Sequence, residues 1–266
     1  MQGNLWNVLK TKTSTHGKLW SFGCSNAAGG ELGSGQTENQ IKQWFIQNTG
    51  YDNWFDGIGS NKLSIIEYEK IYMKWFRANG SPTDATLSYA GQLAILTNKQ
   101  LVSHAICGCG IDRSFNEFLS AVQYINWDND IVLFECTPFD RYMIDDSVKL
   151  SNLQVSITDD IAAMKYIPSA STIEYLYIGI LHYIKTNFPK VHCISIQNFV
   201  KSKQQVYEYS TSFVHDYFTN NNVYLNDISM FDFALEKIGK YSRMPGSHYT
   251  ETVQTAFAEY LLDLLD

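Results

Sequence analysis

Four short segments put chemically active side chains at the ends of apolar runs. In Leu19-Trp-Ser-Phe-Gly23-Cys24-Ser25-Asn26-Ala-Ala-Gly29, a strand-like run opens into a Gly-rich bend that carries a serine. A serine at the carboxyl end of a parallel strand stands where α/β proteins bind ligands. If a helix follows, its positive N-terminal end favours an oxyanion beside Ser25. The other reading is a plain strand-to-helix turn with Ser25 as its cap. In Leu101-Val-Ser-His-Ala-Ile-Cys-Gly108-Cys-Gly110, a second run ends in a glycine turn. Gly108 lets a backbone N–H approach a ligand with no Cβ in the way, or serves only as a turn residue. In Ile131-Val-Leu-Phe-Glu135-Cys136-Thr137-Pro138-Phe-Asp140-Arg141, polar residues crowd the end of a third run. Arg141 there could hold an anion or form a surface ion pair. His248, in Met-Pro-Gly-Ser-His-Tyr, precedes the last helical stretch. Imidazole has the intrinsic pKa of a general base near neutrality.

These segments need a scaffold. Leu19–Phe22, Leu101–Ile106, Ile131–Cys136 and Val191–Ile196 read as strands, each short, apolar and bounded by turn residues. Helical periodicity covers Thr83–Thr97, Ser114–Ile125, Thr172–Thr186 and Thr250–Leu264. The strand runs do not alternate with polar residues, as expected of a parallel sheet covered on both faces. The expected fold is therefore α/β, a three-layer α/β/α sandwich around a mainly parallel sheet, formed as one domain over residues 1–266. Residues from about 36 to 80 break the strand–helix rhythm. They read as a helical insertion rich in aromatics, including Trp44, Tyr51, Trp54, Phe55, Tyr72, Trp75 and Phe76. Packing into a small subcore is the favoured reading for most of these, with a sugar-sized groove as the alternative.

Composition removes several classes. The chain has 266 residues, 45% hydrophobic and 18% charged, enough to build a core. With 20 basic against 27 acidic residues the net charge is −7, the wrong balance for a general nucleic-acid binder. No secretory signal is visible at the N-terminus and no run is long enough to span a bilayer, so a cytoplasmic protein is expected. The five cysteines lie in or beside apolar runs and read as buried free thiols. Cys107-Gly-Cys109 lacks a second pair at zinc spacing, so no metal is expected.

The ordered set of segments resembles the SGNH (GDSL-type) hydrolases, in a branch with Gly-Cys-Ser where the first block usually has Gly-Asp-Ser. The similar parts are Phe22-Gly-Cys-Ser-Asn-Ala-Ala-Gly29, Ser88-Tyr-Ala-Gly-Gln-Leu-Ala94 with Leu101–Asp112, Phe134-Glu-Cys-Thr-Pro-Phe-Asp-Arg141, and Gly246-Ser-His248. The resemblance implies a flavodoxin-like fold, with Ser25 as nucleophile and His248 as general base. It implies an oxyanion hole from the N–H groups of Ser25 and Gly108, with a donor near Thr137 and Arg141 nearby. It also implies that the Cys24 side chain occupies the first-block Asp position and points away from the site, although a thiol nucleophile is the competing assignment. Two departures stand out. The family keeps an Asp two or three residues before its His, where this chain has Pro245 and Gly246. The third block lacks the usual Asn. The imidazole would then lean on a backbone carbonyl or on an acid from elsewhere, such as Asp227 or Asp232.

The leading functional expectation is serine-dependent hydrolysis of a carboxylic ester, an O-acetyl group on a carbohydrate being one substrate class. The runner-up is an O-acetyltransferase using the same Ser-His site, with acetyl-CoA as co-substrate. A non-catalytic binding module on this fold is the third. The expected partner in each case is a small molecule or a glycan.

Overall fold

Strands that are apolar on both faces fold only where helices cover both faces, and the chain supplies those helices between its strands. The computed structural model describes residues 17–57, 65–80, 83–136, 141–145, 148–151, 170–196, 223–245 and 248–265. Four parallel strands, β1 (Lys18–Phe22), β2 (Gln100–Ser103), β3 (Ile131–Cys136) and β6 (Val191–Ser195), form a sheet in the order β2-β1-β3-β6. Asp130 fixes the start of β1 beside β3. Its carboxylate accepts from the Lys18 N–H and the Trp20 indole N–H, both at 2.8 Å. The order reverses between β1 and β3, so the carboxyl ends of these two central strands flank the switch point where such sheets bind ligands.

Alternate residues of each strand face opposite layers. Leu19, Leu133 and Ile194 pack with α4 (Tyr89–Leu96), α7 (Met230–Lys237) and α8 (Glu251–Leu265). Trp20, Phe22, Val132, Phe134 and Cys193 pack with α5 (Ile111–Ala121) and α6 (Ala170–Asn187). Phe22, Phe118, Phe134 and Phe257 are wholly buried, each worth roughly 2–3 kcal/mol in transfer free energy. The fold is thus the expected α/β sandwich.

The insertion contributes α1 (Glu38–Thr49), the single turn α2 (Trp54–Gly57) and α3 (Ile65–Asn79). Thr37 and Gln40 cap α1 reciprocally, which starts that helix sharply. Ile41, Phe45 and Trp75 form a third small core with Met244, against which Trp44 and Trp54 are partly buried. Phe76 is 40% exposed, so the aromatic excess is not all core.

Several expected boundaries shift. Strand β2 ends at Ser103, although the His104 N–H to Ser21 C=O bond at 2.8 Å and the Ile106 N–H to Gly23 C=O bond at 2.9 Å keep the following residues alongside β1 and its bend. Helix α4 begins only after Ser88, which caps it by accepting from the Gly91 N–H, while Asp84–Leu87 is a turn. Helix α5 starts three residues earlier than expected, at Ile111, and relaxes into a 3-10 turn at Val122–Tyr124. A hairpin of β4 (Arg141–Asp145) and β5 (Val148–Ser151) was not expected. Its polar sequence carries no strong strand signal. The cysteine expectation holds for Cys24, Cys109, Cys136 and Cys193 but fails at Cys107, which is exposed on its turn. Among the described residues, no helix is long and apolar enough to cross a membrane.

Candidate active site

The Gly23–Glu31 bend is shaped by contacts that exclude side chains. A Cβ on Gly23 would lie 2.4 Å from Glu135 Cβ, and one on Gly29 would lie 2.0 Å from the Asp84 carbonyl oxygen. Glycine alone lets the bend pass between β3 and the strand of chain entering α4. The bend closes through Ala28 N–H to Cys24 C=O at 3.0 Å and Gly30 N–H to Ser25 C=O at 2.7 Å. No full helix follows Ser25. A 3-10 turn at Leu32–Ser34 comes next and α1 begins at Glu38, so the expected helix dipole behind the serine is absent. Ser25 is 4% exposed, at the mouth of the sheet.

Glu135 supports this bend from below. It is fully buried, and its Oε1 accepts from the Cys24 N–H at 3.0 Å and from the Cys24 thiol at 2.7 Å. Its Oε2 accepts from the Tyr89 hydroxyl at 3.0 Å, and it also receives the Ala27 N–H. Burial pushes the Glu135 carboxyl above its ordinary value, and these donors pull in the other direction. The Cys24 thiol is therefore engaged in the core, an unfavourable place for a nucleophile, and its sulfur accepts from the Ser25 hydroxyl at 4.0 Å.

His248 reaches the same bend from the other end of the chain. Its loop is pinned by Met244 N–H to His248 C=O at 2.8 Å and Thr250 N–H to Ser242 C=O at 3.1 Å. Arg243, 7% exposed, clamps the loop. Its guanidinium lies 3.9 Å from the Tyr249 ring centre and near the rings of Trp54 and Phe231, and it donates to the Tyr249 hydroxyl at 3.0 Å. Burial pushes the Tyr249 phenol up to about 12, against the pull of Arg243.

The imidazole meets a carboxylate: His248 Nδ1 and Glu31 Oε2 are 2.6 Å apart. The Glu31 side chain is 2% exposed and that of His248 is 21% exposed. Glu31 is thus the carboxylate that meets the imidazole. Neither acid considered from sequence does so: Asp227 accepts from Tyr260, and Asp232 pairs with Ser229 at the start of α7. Gly30 sits between the candidate partners. A Cβ there would be 3.0 Å from His248 Cδ2 and Nε2 and 3.1 Å from the Ser25 carbonyl oxygen. The Nε2 edge of the ring therefore faces the serine's own turn. Glu31 has φ +65°, a left-handed conformation costly for a side chain with a Cβ. Non-glycine residues held there cluster at functional sites.

Gly108 also has a positive φ, +76°, and open space where a Cβ would point. Its loop is held beside the serine bend by Ile106 N–H to Gly23 C=O at 2.9 Å and by the Cys109 thiol to Gly23 C=O at 3.1 Å. The structure brings Ser25, His248 and the Gly108 turn to one end of the sheet. Thr137 lies outside the described residues. Arg141 opens β4 opposite Ser151, and only its backbone is described. From the insertion, the Tyr72 phenol is raised by burial and then by the nearby charges of Glu31 and Cys107. Helix α3 therefore passes within electrostatic reach of the site.

Sequence reasoning missed Glu31, Gly30 and the Glu135 network. The signals were present: an acidic residue directly after Gly29-Gly30 in an otherwise apolar bend, and a carboxylate inside the apolar run of β3.

No protein-family model matches the chain, and no curated protein matches it. A crystal structure from Parabacteroides merdae, described as a "putative GDSL-like lipase", is similar at a TM-score of 0.38 and 12% identity, covering 93% of this chain and 94% of that one. A likeness at that level assigns neither a family nor a reaction.

Proposed function

We propose that this protein hydrolyses carboxylic esters through a Ser25–His248–Glu31 triad. With the Nδ1 proton turned toward Glu31, Nε2 is left as the base. Ser25 Oγ attacks the acyl carbon while His248 Nε2 takes its proton. The carbonyl electrons move onto oxygen, which the N–H groups of Ser25 and Gly108 receive. Collapse expels the alcohol, protonated by His248, and leaves an acyl-serine. Water, activated by the same imidazole, then releases the acid. Glu31 offsets the positive charge on the imidazole in both steps.

The observation that carries this reading is the short Glu31–His248 contact, with Gly30 alone separating the imidazole Nε2 edge from the Ser25 backbone. A buried carboxylate on Nδ1 is what a general-base histidine needs and what a histidine with only a packing role does not. The test is p-nitrophenyl acetate turnover by wild type, Ser25→Ala and His248→Ala. Loss of turnover in both variants supports the triad. Turnover equal to wild type in both would refute it and leave a binding module on this fold.

A further inference from the structure

Helix α1 has an unusual outer face. Asn39, Gln43 and Gln47 recur at the i, i+4, i+8 spacing of one helical stripe, with Gln40 beside them holding the Thr37 cap and Gln36 just before it, while Ile41 and Phe45 are buried. An ordinary solvated helix face would carry Lys and Glu here. This stripe carries amides only. Across from it stands the last turn of α3, which brings Asn79 and Trp75. Together they line a groove of about 360 Å3, within the size range of small-molecule sites, with no ionisable side chain among its described lining residues.

Its two aromatics are arranged as a floor. Trp44 is half-buried and meets Trp75 edge-to-face, with centroids 5.1 Å apart. Trp75 is 2% exposed, yet its indole N–H has no hydrogen-bond partner among the described residues. Trp75 therefore backs the groove from beneath, and of the two rings it is the half-buried Trp44 that offers surface to a ligand.

An amide both donates and accepts through two adjacent atoms, as a pair of vicinal hydroxyls does. Indole supplies an apolar surface for a sugar's C–H face and one donor. The lack of charge disfavours phosphorylated, nucleotide and uronate ligands, which call for Arg or Lys. A peptide partner would be expected to use larger exposed apolar anchors.

We infer that the α1–α3 groove binds a neutral sugar chain. Its Gln36 end opens into a second hollow of about 560 Å3, lined by Leu32 and Ser34 just after Glu31 and by Thr250 just after His248. A chain seated in the groove would thus lead toward the Ser25 site. The binding site stands on its own geometry. That the bound sugar carries the scissile ester rests on the hydrolase reading above.

Affinity electrophoresis of the full chain through gels containing xylan, galactomannan, amylopectin or hydroxyethyl cellulose tests this. Wild type and Ser25→Ala should both be retarded by at least one of these polymers. The double variant Gln43→Ala/Gln47→Ala, on an exposed face, should bind about tenfold or more weakly, as expected for lost ligand hydrogen bonds. Trp44→Ala should abolish retardation. Retardation by none of the four polymers overturns the inference, and so does undiminished retardation of the double variant. Retardation without any ester turnover would keep the groove and sink only the hydrolase reading.

Discussion

Replacing Glu31 with glutamine keeps the size and hydrogen-bonding reach of the side chain and removes one charge beside His248 Nδ1. In the transition state the imidazole becomes cationic, so the lost term is the attraction between that cation and the carboxylate. The nearest atoms are 2.6 Å apart and both groups are largely shielded from water. Charge centres about 4 Å apart interact by about 4 kcal/mol at the effective dielectric of ~20 that suits protein sites. At 1.36 kcal/mol per factor of ten, this is roughly a 10³-fold loss. The loss should fall on kcat with KM little changed, because the attraction is gained only as the imidazole becomes cationic in the transition state. Burial also means that the loss should persist at high salt. The assay is steady-state p-nitrophenyl acetate hydrolysis at low and high ionic strength, with far-UV circular dichroism and a thermal melt to confirm folding. If folded Glu31→Gln keeps a kcat within about threefold of wild type, less than 1 kcal/mol, Glu31 is not the acid of the triad and the reasoning fails.

Other substitutions follow the same geometry. Gly30→Ala places a methyl 3.0 Å from the imidazole edge and pushes the ring away by a few tenths of an ångström. Turnover should fall about tenfold or more at near-native stability, since misplacing a catalytic group by ~1 Å costs about 10²; an unaffected rate would mean the ring is not the base. Glu135→Leu leaves the buried donors of Cys24, Ala27 and Tyr89 without their acceptor. At ~1–3 kcal/mol each it should lower unfolding free energy in urea by about 3 kcal/mol or more, and Glu135→Gln by much less. Equal stability of Glu135→Leu and wild type would disprove the support role. His104 is stacked on Trp20 and Phe22, and burial lowers its pKa despite Glu117. The folded state therefore takes up this proton less readily than the unfolded state. The stability is present above the unfolded value near 6.5 and is lost as pH falls through the folded pKa. His104→Phe keeps the stack and should flatten the decline in thermal stability between pH 7 and 5; a parallel decline in the two proteins would contradict it.

The sheet was legible in the sequence because β1, β3 and β6 are apolar on both faces, and only a covered parallel sheet buries such runs. Ser25 and His248 were singled out by the ordered set of segments and not by residue type, since a serine at a strand end is as readily a helix cap. What could not be read was local geometry. Ser88 was hidden as a cap because Thr83, Asp84 and Thr86 before it are cap-type residues too, so composition offers several helix starts. Leu176 fits the apolar stripe of α6 by spacing but is 41% exposed, while Leu181 is buried instead. One helix register contains both, and only the neighbours choose. The reach of α3 toward the site through Tyr72 has no sequence signal at all, since it depends on how the insertion folds back.

Glu31 is the more instructive omission. Sequence spacing sends the search for a triad acid to the residues before the histidine, because a short loop is the simplest way to hold two side chains together. In the proposed triad the short loop holds the acid to the serine instead, six positions after Ser25, and the histidine arrives alone from the far end of the chain. That solution demands a sharp reversal immediately after two glycines, and the reversal leaves Glu31 in the left-handed region at φ +65°. Glycine or asparagine would sit there at less cost, of order 1 kcal/mol. A carboxylate that bears this strain, is shielded from water, and still reaches an imidazole at 2.6 Å is better explained by what it does to His248 than by anything it adds to the fold.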